Sequence, residues 1–164
     1  MGTQLTAPAS SASPFLSGIK LPQPFTLVLF GGTGDLAARK LFPSLAGLFA
    51  QGFLPAEFTI VGIGRKAKTD EAFRAEVKES LAKFRKDGAG GDEFLSHIAY
   101  QAADASEPET FPRLAQRVFA LGRDRQRVFY LATDPQFFEP IAANLAKVDL
   151  LKGAEGQGLS LIHI

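Results

Sequence analysis

The residues with the plainest chemical use lie in one short stretch, Phe30-Gly31-Gly32-Thr33-Gly34-Asp35-Leu36-Ala37, between an apolar run and an amphipathic one. Gly32-x-Gly34-x-x-Ala37 has the spacing of a dinucleotide-binding turn with alanine in the last place, and Gly31-x-x-Gly34-x-x-Ala37 is a second register. Small residues are needed there because side chains in a tight turn would keep a pyrophosphate from the free N–H groups at the helix start. The helix dipole favours an anion at the same point. Ala37 is small enough for helix and strand to pack closely. A P-loop is excluded: Asp35 follows Gly34 where a lysine is required, and Lys40 is followed by Leu41 rather than by a hydroxyl residue.

Which dinucleotide fits is decided after the next apolar run, at Gly62-Ile63-Gly64-Arg65-Lys66. An NAD site places an acid there for the ribose hydroxyls, whereas this chain has two cations, which suit the adenosine 2′-phosphate of NADP. A hydrogen bond to a charged partner contributes roughly 1.5–3 kcal/mol, so a well-placed Arg65 is worth about tenfold to a hundredfold in preference.

These groups need a scaffold, and strand and helix patterns alternate along the chain, which implies a parallel sheet joined by helical crossovers. Phe25 to Phe30 reads as a strand buried on both faces. Asp35 to Gln51 reads as a helix stopped at Gly52, with a kink or restart at Pro43. Phe58 to Gly62 is a second strand, and Asp70 to Lys86 a helix with Phe73, Val77, Leu81 and Phe84 on one face. Beyond the glycines at 88, 90 and 91 comes a weaker strand, His97 to Gln101. A third helix follows, opened by a Ser106/Glu109 capping box and facing inward through Phe111, Leu114, Val118 and Leu121. Arg127 to Ala132 is a fourth strand, and Asp134-Pro135 starts a last helix with Ile141, Leu145 and Val148 inward, its first turn made irregular by Pro140.

The expected fold is therefore α/β, a Rossmann-like doubly wound parallel sheet of strand order 3-2-1-4-5-6, incomplete at its C-terminal edge because four strands are supplied. The edge of the fourth strand would then be an unpaired apolar ladder. Residues 1–24, rich in Ser and Pro with Lys20 as their one charge, read as a flexible lead-in, and 25–158 as the cofactor domain. Leu159-Ser160-Leu161-Ile162-His163-Ile164 reads as a non-native tail, since a transposon-end sequencing adapter would encode it. A genuine fifth strand is the competing reading.

Composition narrows the remaining classes. The chain has 164 residues, 46% of them hydrophobic and 21% charged, the make-up of roughly one globular domain. Lys and Arg number 18 against 17 Asp and Glu, so no field of one sign is available to hold nucleic acid or an anionic membrane surface. Without cysteine, and with only His97 and His163, neither a thiol nucleophile nor an ordinary zinc site can be built. No apolar run approaches the roughly 18 residues of a membrane span, and the opening residues lack the pattern of a secretory signal or an Arg-rich transit peptide. A cytoplasmic location is the expectation.

Taken together, Thr26 to Ala37, Arg39-Lys40-Leu41, Pro43-Ser44-Leu45, Gly52-Phe53-Leu54-Pro55, Ile60 to Arg65 and Val128 to Ala132 resemble the amino-terminal signature of the glucose-6-phosphate dehydrogenase family. The resemblance covers Phe25 to about Leu150. It implies an NADP-linked oxidation of glucose 6-phosphate to a lactone by a longer, homo-oligomeric enzyme. It assigns Gly31, Gly32, Thr33, Gly34, Asp35, Leu36 and Ala37 to the pyrophosphate turn and Arg65 to the 2′-phosphate. It also implies Asp104 beside the adenine, Tyr130 near the cofactor, and Lys40 near a substrate or cofactor phosphate. The family's Glu-Lys-Pro on the next strand is absent, as is the segment Arg-x-Asp-His-Tyr-Leu-Gly-Lys that carries its general-base histidine. Neither His97 nor His163 matches that base, so this chain alone is expected to bind without turning over. A short-chain reductase is excluded, because Tyr100 and Tyr130 are followed four positions on by Asp104 and Asp134 rather than by lysine. A non-catalytic NADP-binding or regulatory module is the alternative.

Overall fold

The computed structural model describes residues 22–88 and 90–152 and, for the backbone alone, 160–163. Strand β1 (Phe25–Phe30) is buried from Thr26 onward because helices cover both of its faces. It pairs in parallel with β2 (Phe58–Gly64), Phe30 opposite Ile63, and with β4 (Gln126–Leu131), Phe30 opposite Leu131. β3 (Ile98–Ala102) lies outside β2, and β5 (Ser160–His163) outside β4. The order β3-β2-β1-β4-β5 is that of the expected doubly wound fold, carried one strand further than expected. The edge of β4 is accordingly paired rather than bare. Apart from 22–24 and this strand, the lead-in and the tail lie outside the described residues.

Side chains alternate across each strand and so build two cores. On one face Leu27, Leu29, Ile60, Ile98 and Tyr100 pack against Phe42 and Ala46 of α1 (Phe42–Ala50) and Phe73, Val77 and Leu81 of α2 (Asp70–Phe84). On the other, Val28, Phe30, Val61, Ile63, Phe129 and Leu131 meet the last two long helices. A four-residue turn, α3 (Asp92–Leu95), buries Phe94 and Leu95. It is missing from the sequence reading because it is too short to show a period. Leu114 and Val118 of α4 (Phe111–Gly122) and Ile141 and Leu145 of α5 (Phe138–Lys147) complete the second core.

The helix expected over residues 35 to 51 does restart at its proline. A wide turn, Ala37–Leu41, closes with the Phe42 N–H donating to the Ala37 carbonyl, and α1 begins with Pro43 in its first turn, where the missing donor costs nothing. Helix α2 is capped by the Thr69 hydroxyl, which accepts from the Ala72 N–H at 3.1 Å. The expected Ser106/Glu109 capping box does not form. The Ser106 N–H donates instead to Asp104 Oδ1 (2.8 Å), and Thr110 Oγ1 accepts from the Asp104 N–H (3.0 Å) while donating to the Glu107 carbonyl (2.7 Å). Pro108 inserts a 3-10 turn, Pro108–Thr110, before α4, which moves the helix start past the reach of Ser106. Asp134 behaves as expected, its carboxylate accepting the Gln136 N–H at 3.0 Å.

Arg127, the second residue of β4, is buried without a carboxylate partner among the described residues. Its Nε donates to the Leu150 carbonyl and Nη1 to the Arg123 carbonyl, both at 3.1 Å, while Nη2 reaches the carbonyl of Lys152. Burial first, and Arg123 second, pull its pKa below the ordinary guanidinium value. The fork clamps the ends of α4 and α5 to the sheet in a geometry an ammonium cannot copy. Arg127→Lys is therefore expected to lower stability by about 2 kcal/mol through carbonyls left unpaired, read as a lower urea midpoint.

Candidate functional site

The aligned C-terminal strand ends open into a cleft of about 270 Å³ beside β1, where the strand order turns from β2 on one side to β4 on the other. Phe30, Ile63, Phe137 and Ile141 form apolar walls, and Gly31, Thr33, Arg65, Asp104, Ser106 and Thr133 supply the polar rim.

The glycine turn is more constrained than its motif suggests. Gly31 sits at φ +80, and a Cβ there would lie 2.2 Å from the carbonyl oxygen of Ala132, the residue after β4. A Cβ on Gly32 would lie 2.8 Å from Gly62 Cα, and one on Gly34 3.2 Å from the Gly31 carbonyl oxygen. Neighbouring backbone thus requires glycine at 31 and 32 before any ligand enters, while Gly34 is tight but not closed to a Cβ. The Gly32 and Gly34 N–H groups are engaged within the fold, on the carbonyls of Ile63 (3.0 Å) and Gly31 (2.9 Å). The N–H groups of Thr33, Asp35 and Leu36 donate to no backbone carbonyl outside the helices and strands among the described residues, so they are the ones left to meet an anion. Ala37 is fully buried, which is the close packing its size was expected to permit.

Of the other expected residues, Arg65 stands exposed at the lip of the cleft and makes no ion pair among the described residues. Asp104 is across from it, with Oδ1 committed to the Ser106 N–H, so it shapes the turn that lines the cleft. Asp35 faces outward and pairs with Arg39 at 3.3 Å, and Leu36 and Lys40 are exposed on the same first turn without lining the cleft. Tyr130 is not brought there. Strand alternation sends Phe129 and Leu131 toward the cleft face and Tyr130 to the opposite one, where it lines a small cavity with Leu27, Leu29, Leu41, Ser44 and Leu45 and its buried hydroxyl has no partner among the described residues.

Two residues that sequence reasoning passed over do line the cleft, Thr133 and Phe137. Both follow β4, and only its pairing with β1 places them beside the glycine turn. The Thr133 hydroxyl is shut away from solvent with no hydrogen-bond partner among the described residues. Such a group costs about 1–3 kcal/mol when left unpaired. A glycine cradle, an uncommitted guanidinium and an orphaned hydroxyl around apolar walls together fit a nicotinamide dinucleotide. Thr133→Val is expected to raise the melting temperature of the ligand-free chain and to weaken dinucleotide binding about threefold, by thermal melting and calorimetry. Losses in both would mark Thr133 as a packing residue only.

No base faces the cleft from His97. Its ring stacks on Phe58 at 4.0 Å and 8°, with Nδ1 2.8 Å from the Phe58 carbonyl oxygen, at the opposite ends of the strands. Among the described residues no helix is long and apolar enough to cross a membrane.

Residues 28–159 match the family model described as glucose-6-phosphate dehydrogenase, NAD binding domain. The chain is 41% identical over 139 residues to the glucose-6-phosphate 1-dehydrogenase of Treponema pallidum, covering 80% of this chain and 27% of that protein. It is 38% identical over 131 residues to that of Leuconostoc mesenteroides, covering 77% and 27%. Among solved structures, a glucose-6-phosphate dehydrogenase in complex with its substrate glucose-6-phosphate superposes with a TM-score of 0.72 at 26% identity, over 86% of this chain and 30% of that one. The chain thus spans about 27% of the length of these curated relatives. A short-chain dehydrogenase/reductase from Mycobacterium ulcerans, at 15% identity and a TM-score of 0.51, shares the fold alone.

Proposed function

Since this chain belongs to the glucose-6-phosphate dehydrogenase family, we propose that it is the NADP-holding part of an enzyme that oxidises glucose 6-phosphate to 6-phosphogluconolactone, at the entry to the oxidative pentose phosphate pathway. The observation that carries the choice of NADP is Arg65, uncommitted at the lip of the cleft, with no acid at the end of β2 to receive ribose hydroxyls. Residues 25–158 form the cofactor domain. The amides after Gly32 and at the helix start hold the pyrophosphate, and Gly31, Gly32 and Gly34 keep side chains out of its way. Ala37 seats that helix close, and Thr33 and Asp104 shape the cleft walls. Bound there, the nicotinamide ring supplies the hydride acceptor. Lys40, exposed on the wide turn, is read as a contact for a phosphate of the substrate or of the cofactor.

Hydride removal from a sugar hydroxyl needs a base within hydrogen-bond reach, and His97 is turned away on the far end of the sheet. The chain assayed alone is therefore expected to bind NADP and to show no turnover. The check is the absorbance of reduced cofactor on mixing the purified chain with glucose 6-phosphate and NADP. Turnover that survives His97→Ala and His163→Ala would overturn this division of labour. Absence of both binding and turnover would count against the cofactor reading itself, and binding without turnover by the intact gene product would favour a regulatory module. The whole enzyme is read as a cytoplasmic homo-oligomer with no role for nucleic acid or membrane; the net charge of +1 on this chain offers neither of them a field of one sign.

A further inference from the structure

We propose that Tyr100 sets the preference for a 2′-phosphorylated dinucleotide by holding the backbone on either side of Arg65, so that it is a positioning residue for cofactor choice. The inference rests on the reading of the cleft as an NADP site.

Arg65 makes no ion pair among the described residues, so where its guanidinium can reach is decided by its own backbone and by the ligand. That backbone is pinned on both sides. After Arg65, the Tyr100 hydroxyl donates to the Lys66 carbonyl at 2.5 Å. Before it, Gly64 is wedged so closely that a Cβ there would lie 2.7 Å from the Tyr100 hydroxyl oxygen and 3.0 Å from the Thr33 Oγ1 and Cγ2 atoms, while its carbonyl accepts the Ala103 N–H at 3.0 Å. Tyr100 therefore holds the residue after Arg65 by a hydrogen bond and crowds the residue before it, where Thr33 of the glycine turn also closes in.

Tyr100 is itself immobilised. Its N–H donates to Asp70 Oδ1 at 2.9 Å, and Asp70 is held in turn by Arg117 of α4. The ring packs on Phe73 at 5.0 Å, and Lys68, paired with Glu76 at 2.8 Å, lies over it at 5.4 Å. Burial, and Glu76 to a smaller extent, hold the phenol above its ordinary pKa, so the hydroxyl stays a donor through the working pH range. A flexible arginine loses rotamer entropy when it grips a phosphate, and a backbone already in place reduces what else must be ordered. Ribose without the 2′-phosphate makes no use of Arg65 and gains nothing from this device.

The test is a double-mutant cycle on the whole chain with NADP and NAD as ligands, read by calorimetry. Tyr100→Phe removes only the hydroxyl and is expected to weaken NADP binding about three- to tenfold while leaving NAD within about twofold. Added to Arg65→Ala, it is expected to have no further effect on NADP. Amide exchange at residues 66–68 is expected to quicken in Tyr100→Phe, a readout available even if the affinities shift little. Equal loss for both ligands, the same loss in the Arg65→Ala background, or unchanged exchange would overturn the proposal. A parent chain that binds NAD and NADP alike, with Arg65→Ala silent, would instead overturn the cofactor assignment and this inference with it.

Discussion

Gly31→Ala is expected to lower stability by about 4 kcal/mol, enough to threaten a domain whose total is roughly 5–15 kcal/mol. Gly31 has φ +80, where an L side chain costs about 1–2 kcal/mol on its own. The larger part comes from contact: the new Cβ would stand 2.2 Å from the Ala132 carbonyl oxygen and 2.9 Å from its carbon. Neither backbone can retreat freely, because the Ala132 N–H donates to the Phe30 carbonyl at 2.9 Å and continues the β1–β4 ladder. Gly88 provides the internal control. It has nearly the same dihedral, φ +72, with nothing within 4 Å of a built Cβ, so Gly88→Ala is expected to cost about 1–2 kcal/mol. Urea unfolding followed by circular dichroism compares the two. Equal losses would show that the close approach of β1 and β4 contributes nothing.

Arg65→Glu is expected to weaken NADP binding about a hundredfold and to leave NAD binding nearly unchanged, which abolishes or inverts the preference. The substitution removes a charge-assisted hydrogen bond and sets a carboxylate against the 2′-phosphate. Because Arg65 is exposed and has no ion-pair partner among the described residues, no packing or salt bridge is lost with it, and the melting temperature should not move. Titration of both ligands at fixed ionic strength is the measurement, since exposed charges are screened by salt. An unchanged ratio would remove the basis for choosing NADP.

The site was legible where its parts are close in sequence. The glycine turn, the buried Ala37 and the Arg65 after β2 all follow from residue types within a few positions of a strand end, and so does the restart at Pro43. Thr133, Phe137 and Tyr100 were not legible as parts of this site, because each belongs to another strand or to the loop after it. Tyr130 illustrates the limit from the other direction: its neighbourhood in sequence resembles a cofactor segment, yet one residue along a strand is a change of face.

By itself the sequence determined the alternation of strands and helices, the glycine turn after β1 and the cation that follows β2. These depend on local backbone preferences, hydrophobic period and the chemistry of single side chains. Only the tertiary structure decided that Gly31 must be glycine for the sake of Ala132, that Thr133 carries an orphaned hydroxyl at the cleft, and that Tyr100 bonds the Lys66 carbonyl and crowds Gly64 on either side of Arg65. Those facts come from which strands lie side by side and in what register, Gly62 opposite Tyr100 and Phe30 opposite Leu131. Register is set by the packing of two whole cores at once, and no short segment of the chain contains it.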